Sequence, residues 1–337
     1  MKDLDPQIMN RMFLKNLDSD EHTKIAQQKF SAYIRDKIRD VQFARKILPP
    51  RNVTERDMNV QRSVNHDGLV YMDEIEPESG AGAVAWTGSP ETRYIQAKRY
   101  EIPFFQISTD QNEITEQELY ASRNPIHKMV EDRAVKDIGN IEDLRLLILC
   151  EAALEQTSQI VKGVAANAGV ASGDIEIDDI VSLKNILVNE ERPDGPILLC
   201  NKADYNKLLK WEAEYAGDKW RGDITYGNLK PTNIMGLTVV VTAKTSLLRE
   251  GDLYLFAPPE WLGRFMILDE MKFFMRKERD LIYWSTWEFL AMSIANFWSV
   301  AKLEIYSGDS RSLPNEEDLF TSNISTPPSS RPTVVTY

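Results

Sequence analysis

Three features of the 337-residue sequence predict an α+β fold. One long helical rod lies near the middle, a mixed helix–strand stretch follows it, and strand-rich sequence fills residues 251–306. In the rod, residues 126–157, Ile126, Val130, Ala134, Ile138, Ile141, Leu144, Ile148 and Ala152 recur at three- and four-residue steps, the period of one helix face. Lys128, Glu131, Asp132, Lys136, Asp137, Glu142 and Arg145 occupy the opposite face, which is expected to be a surface. At 1.5 Å per residue the rod would span roughly 48 Å, far longer than an average helix.

Composition narrows the class. Apolar residues make up 42% and charged residues 27%, so most of the chain can fold. No run approaches the apolar length of a membrane span. The first residues lack the apolar core of a secretory leader, which argues against export. A net charge of −12 disfavours nucleic-acid binding through phosphates, which needs a basic face. Such a surface can stand beside packed DNA without adhering to it. Cys150 and Cys200 each lie in an apolar run and read as reduced core residues.

The N-terminal stretch, 1–48, suggests a helix from Ser19 or Asp20 through Val41, after a small apolar patch of Met9, Met12, Phe13, Leu14 and Leu17. It is either a self-contained helical pair or an arm that docks on another subunit. Pro49-Pro50 ends it. In 49–108, strand-like Leu69–Met72 and the alternating run Tyr94–Ile107 bracket a Glu-, Gly-, Ser- and Pro-rich segment, 74–90. This is a protruding hairpin with too little apolar content for a core of its own. Thr115 and Glu118 have capping-box spacing, and Pro125 suits the start of the rod.

After the glycine-rich stretch 163–173, a helix is expected from Asp178 through Ile186, a buried strand at Ile197–Cys200 and a helix at Lys202–Lys210. A polar loop, 211–233, precedes Gly236 and the strand Leu237–Thr242. Further strands are expected at 253–257, 265–268, 272–275, 282–284 and 300–305, while periodicity leaves 286–295 open between helix and strand. The tail, 307–337, has the composition of a disordered segment.

No catalytic constellation emerges. Gly80–Ala85 has the letters G-x-G-x-x-A, but no buried strand precedes it and no helix follows, so no dinucleotide cofactor is expected. His22, His66 and His127 lack metal-ligand spacing, and the acidic clusters at 174–179 and 316–318 read as solvated loops. No metal or other cofactor is expected. Cys150 and His127 lie roughly 35 Å apart on one helix, which excludes a dyad within one chain. Trp261, Trp284, Trp287 and Trp298 read as core packing of the strand-rich region, whereas Trp86, Trp211 and Trp220 on polar loops suggest interfaces.

The order of these parts resembles the major capsid proteins of tailed bacteriophages, the Hong Kong 97 fold also used by encapsulin nanocompartments. Ile107-Ser108 followed by Ile114–Leu119 looks like that family's approach to its spine helix. Gly236–Thr242 looks like its glycine-led strand, and Leu253–Ala257 with Gly263 fits the strand and turn that follow. The resemblance covers about residues 45 to 305.

The resemblance implies an N-terminal arm (1–48), an extended loop (49–108), a peripheral domain (109–165 and 246–306) with its spine helix at 126–157, an axial domain (166–245) and a C-terminal tail (307–337). It favours strands for 283–305. It implies a non-enzymatic subunit that forms pentamers and hexamers of an icosahedral head around double-stranded DNA, located in the virion and assembled in the bacterial host cytoplasm. Trp86, Tyr71, Tyr94, Trp211 and Trp220 are then expected at contacts between subunits. A separate scaffold protein, a portal and a decoration protein are the expected partners, with no membrane.

Some family members crosslink through a lysine on the extended loop. This chain has no lysine between Lys46 and Lys98, so noncovalent contacts are expected. An encapsulin shell and a soluble α/β enzyme are the alternatives.

Overall fold

The structure, a computed structural model, describes residues 10, 13–14, 20–54, 69–73, 83, 88–89, 99–122, 126–163, 175–189, 196–209 and 233–305. Helix α1 (Asp20–Val41) and the short α2 (Ala44–Ile47) lead to β1 (Arg51–Asn52). Strands β2 (Leu69–Asp73) and β3 (Arg99–Pro103) pair antiparallel from Leu69↔Pro103 to Asp73↔Arg99, so the two extended runs of the expected hairpin do meet. Strands β4 (Phe105–Ser108) and β5 (Asn112–Thr115) and helix α3 (Glu116–Ala121) follow. Thr115 and Glu118 form the expected capping box.

The rod is one continuous helix, α4 (Ile126–Thr157), and Pro125 lies outside the described residues. Strand β6 (Ile160–Lys162), helix α5 (Ile177–Asn189), strand β7 (Ile197–Asn201), helix α6 (Lys202–Leu208), β8 (Asn233–Ile234) and β9 (Leu237–Thr242) come next. Met235 and Gly236 both have positive φ, 52° and 82°. Such a pair matches the twist of a two-residue hairpin and explains the glycine there. Then come β10 (Asp252–Phe256), α7 (Pro259–Leu262), β11 (Gly263–Glu278), β12 (Leu281–Ile294), a 3₁₀ turn (Phe297–Ser299) and β13 (Val300–Glu304).

Two sheets flank the rod. One runs β1-β11-β12-β4, with β5 also on β12. The other runs β6-β13-β10-β7-β9-β8, so residues 252–256 and 300–304 share a sheet with 197–201 and 237–242. The open stretch 286–295 resolves as strand through Ile294, and the runs 265–268 and 272–275 form one strand with register shifts between Ile267 and Lys272. Turn-free continuity across those bulges explains why local pattern split them.

The rod's faces differ from the sequence reading. Ile148 is 37% exposed and Ala152 is exposed, while Glu131 and Glu142 are buried. Residues 141–144 are buried on every side. A helix between two layers has no single solvent face, so its apolar period blurs. The tryptophans differ too: Trp298 is 47% exposed, and Trp284 only borders the main core.

Helix α1 docks on its own chain. Gln27 Nε2 donates to the Met275 carbonyl (2.6 Å), the Phe273 N–H donates to Ser31 Oγ (3.0 Å), and Arg35 Nε donates to the Met271 carbonyl (3.1 Å). Four helix residues rise about 6 Å and two strand residues about 6.7 Å, so every fourth side chain of α1 meets every second residue of β11. The helix thereby serves the strand's open backbone edge, and β1 pairs with the same strand at Met266 and Ile267. Within the described residues this segment packs as a strap on its own subunit. Farther out, Val53 and Ile102 pack with Met266 and Ala291, which ties residues near both ends of 49–108 to the sheet.

Candidate assembly site at the spine helix

The loop between α1 and α2 crosses α4 at Gly139. A Cβ there would lie 2.2 Å from Gln42 Nε2, so the Gln42 side chain fills the space that the glycine leaves. Gln42 is fully buried, and neither end of its amide finds a hydrogen-bond partner among the described residues. One turn on, the Ala44 N–H at the start of α2 donates to Asp143 Oδ1 (2.9 Å). Lys244, from the loop after β9, donates to Asp143 Oδ2 (2.6 Å) and to the Gly139 carbonyl (3.1 Å). Burial pushes the Asp143 carboxyl up to about 6, although Lys244 pulls the other way.

Beside this pair, Arg45 grips Glu142 in a fork, Nε to Oε2 at 2.9 Å and Nη2 to Oε1 at 2.7 Å. The same Nη2 donates to Glu288 Oε1 of β12 at 2.7 Å. The three side chains are 7%, 0% and 1% exposed. Burial, and then the Glu142 carboxylate beside it, pushes Glu288 up to about 9. At neutral pH Glu288 therefore keeps its proton, and the cluster avoids two buried anions against one guanidinium.

Nine residues along α4, about half a turn of azimuth, Glu151 faces the other sheet. There it accepts from Tyr254 Oη and from Lys302 Nζ (2.9 Å), and the Lys302 ammonium lies over the Tyr254 ring. The spine helix is thus tied to the strap and the β11–β12 sheet by buried charge on one face, and to the second sheet by half-buried charge on the other. These ties make α4 a rigid strut that fixes the strap and both sheets relative to one another. Cys150 and Cys200 are buried free thiols held above their ordinary value by burial, which makes them poor nucleophiles.

Of the aromatic contacts expected from sequence, Trp86, Tyr94, Trp211 and Trp220 lie outside the described residues, and Tyr71 sits on β2 with only its backbone described. Sequence reasoning missed Arg45, Glu142, Asp143, Lys244 and Glu288. One signal was present: Glu288 occupies an inward position of an alternating strand, between Thr286 and Leu290. Among the described residues, no cluster of side chains could hold a metal ion.

No protein-family model and no curated protein matches the sequence. Solved structures do. A chain of Microbacterium phage Oxtober96 superposes with a TM-score of 0.55 at 12% identity, over 79% of this chain and 91% of that one. The capsid structure of the Cyanophage P-SCSP1u gives 0.54 at 9% identity, over 78% and 87%. A chain of Mycobacterium phage Adephagia gives 0.52 at 11% identity, over 79% and 90%. At such identities the likeness is one of fold. With its spine helix, long hairpin sheet, paired extended strands and α/β unit, the chain has the Hong Kong 97-like α+β fold of tailed-phage capsid subunits.

Proposed function

We propose that this protein is the major capsid protein of a tailed bacteriophage, a structural subunit that assembles with itself into an icosahedral head around double-stranded DNA. The observation that carries this reading is the fold, which matches phage capsid structures over about four-fifths of the chain. The mechanism is geometric. One chain makes near-equivalent contacts in five- and sixfold rings, and the extended loop absorbs the differences between them. In this reading residues 109–165 and 246–306 form the peripheral domain, with 252–256 and 300–304 completing the sheet of the axial unit, 166–245.

Tyr71, Trp86, Tyr94, Trp211 and Trp220 belong to contacts between subunits, where aromatic anchors concentrate binding energy. The net charge of −12 suits a wall that contains DNA without holding it tightly. Scaffold, portal and decoration proteins are the partners of such a subunit, and host cytoplasm is where it assembles. It performs no catalysis. Particles purified from producing cells should contain nuclease-resistant double-stranded DNA. Particles holding a co-purifying enzyme and no genome would contradict the DNA-head reading.

A further inference from the structure

One face of the β11–β12 sheet turns Phe273, Met275, Ile282 and Leu290 into the main core beneath α1 and α4. Alternation along the strands sends their neighbours to the opposite face. There Val53 and Ile102 cover the end near Met266 and Ala291, and an aromatic ridge lies farther along. Trp287 and Phe274 stand with ring centroids 6.0 Å apart, and the Arg276 guanidinium lies 5.8 Å from the centre of the Tyr283 ring. Phe274 is 41% exposed, and none of these three rings joins a buried cluster. Phe274 pairs in register with Ser285, midway between Trp287 and Tyr283, so the rings form one line across two strands. Glu113 of β5 pairs in register with Tyr283, is exposed, and has no cation partner among the described residues.

We propose that this ridge is a docking site for the chain's own C-terminal tail, with the proline-rich stretch 326–332 (TPPSSRP) laid along the rings as an extended, polyproline-type ligand. Aromatic surfaces take such segments because a preformed extended helix loses little freedom on docking and offers flat apolar rings. The sequence holds three proline pairs. Pro49-Pro50 and Pro258-Pro259 are built into the described fold, which leaves Pro327-Pro328 as the pair available to a ligand segment.

Span, charge and reach agree. From Pro328 to Pro332 such a helix rises about 12 Å, and from Tyr283 to Trp287 the strand rises about 13 Å. Arg331 is the one charged side chain in 319–337, and Glu113 beside Tyr283 is its complement. The described chain stops at Ile305, whose N–H donates to the Gly251 carbonyl beside the second sheet. From Ile305 to Pro328 the chain extends up to about 75 Å, against roughly 48 Å for the spine helix that joins the two sheets. The tail therefore reaches the ridge of its own subunit or that of a neighbouring copy.

The test is disulfide trapping in the full chain, whose native thiols, Cys150 and Cys200, are buried. Ser285→Cys on the ridge is combined with Ser329→Cys in the proline stretch, and Ser182→Cys on the exposed side of α5 replaces Ser285→Cys for comparison. Under mild oxidation the bond between positions 285 and 329 should form at least about tenfold faster than that between 182 and 329, because docking raises the effective concentration. Phe274→Ala, which truncates an exposed ring, should remove that preference, as should Pro327→Ser with Pro328→Ser. Glu113→Arg should weaken the preference, and adding Arg331→Glu should restore it. Equal rates at 182 and 285 would overturn the proposal, as would a preference that survives the loss of both prolines. So would faster trapping of Ser285→Cys by Ser79→Cys, which would give the ridge to the acidic segment 73–78 of the extended loop.

Discussion

The Gln42 side chain fills the space that a side chain on Gly139 would take: a Cβ on the glycine would sit 2.2 Å from the glutamine Nε2 and 3.0 Å from its Cγ. A larger residue at 139 would have to displace the Gln42 side chain. Gly139→Ala should therefore destabilise the subunit by up to about 2 kcal/mol, since overpacking costs about 1–3 kcal/mol against the roughly 1 kcal/mol that alanine gains in a helix. In Gly139→Ala/Gln42→Ala the crossing has room again, and the two losses should not add. Chemical denaturation of the four species measures this. A stabilised Gly139→Ala would show that the crossing is loose.

The pH dependence of stability follows from three buried carboxyls. Glu288 stands at about 9, Glu131 at about 7 and Asp143 at about 6, each raised first by burial. A carboxyl that holds its proton more tightly when folded gives stability that is complete below its unfolded value and is lost as pH rises through its folded value. The melting temperature of unassembled subunits should fall between about pH 4.5 and 9. In Glu288→Gln the upper part of that decline should flatten. A melting temperature that climbs across this window would contradict the assignment.

The strap also guards a strand edge. Gln27→Ala, Ser31→Ala and Arg35→Ala each remove one bond to β11 backbone and should cost about 0.5–1.5 kcal/mol apiece. Together they bare the 271–275 edge, and an open edge templates pairing with other chains. The triple variant should melt lower and sediment as irregular aggregates. Unchanged melting and sedimentation would mean that α1 is an ornament on that edge.

Much of this architecture was legible in the sequence because it rests on local chemistry. The capping box at Thr115 and Glu118, the rod at 126–157 and the glycine-led strand at 237–242 each carry their signal within a few residues. The charged junction carries none of that kind. Glu142 and Asp143 look like a solvated face until a second layer covers them, and Arg45 and Glu288 lie 243 residues apart. The seat of the strap was not legible for a related reason: the edge that its polar side chains satisfy belongs to a strand more than 230 residues away.

The extended loop supplies the next prediction. Deleting residues 78–90, the polar tip with Trp86, should leave folded subunits that fail to make stable shells. Circular dichroism would check folding and size-exclusion chromatography assembly. Normal shells from the deletion would show that the tip makes no needed contact.

The central claim, that this chain is a shell subunit, is tested most directly by negative-stain electron microscopy of the purified protein. Closed, angular particles of uniform diameter, with rings of five and six subunits, are the expected result. A field of compact monomers under every assembly condition would contradict it.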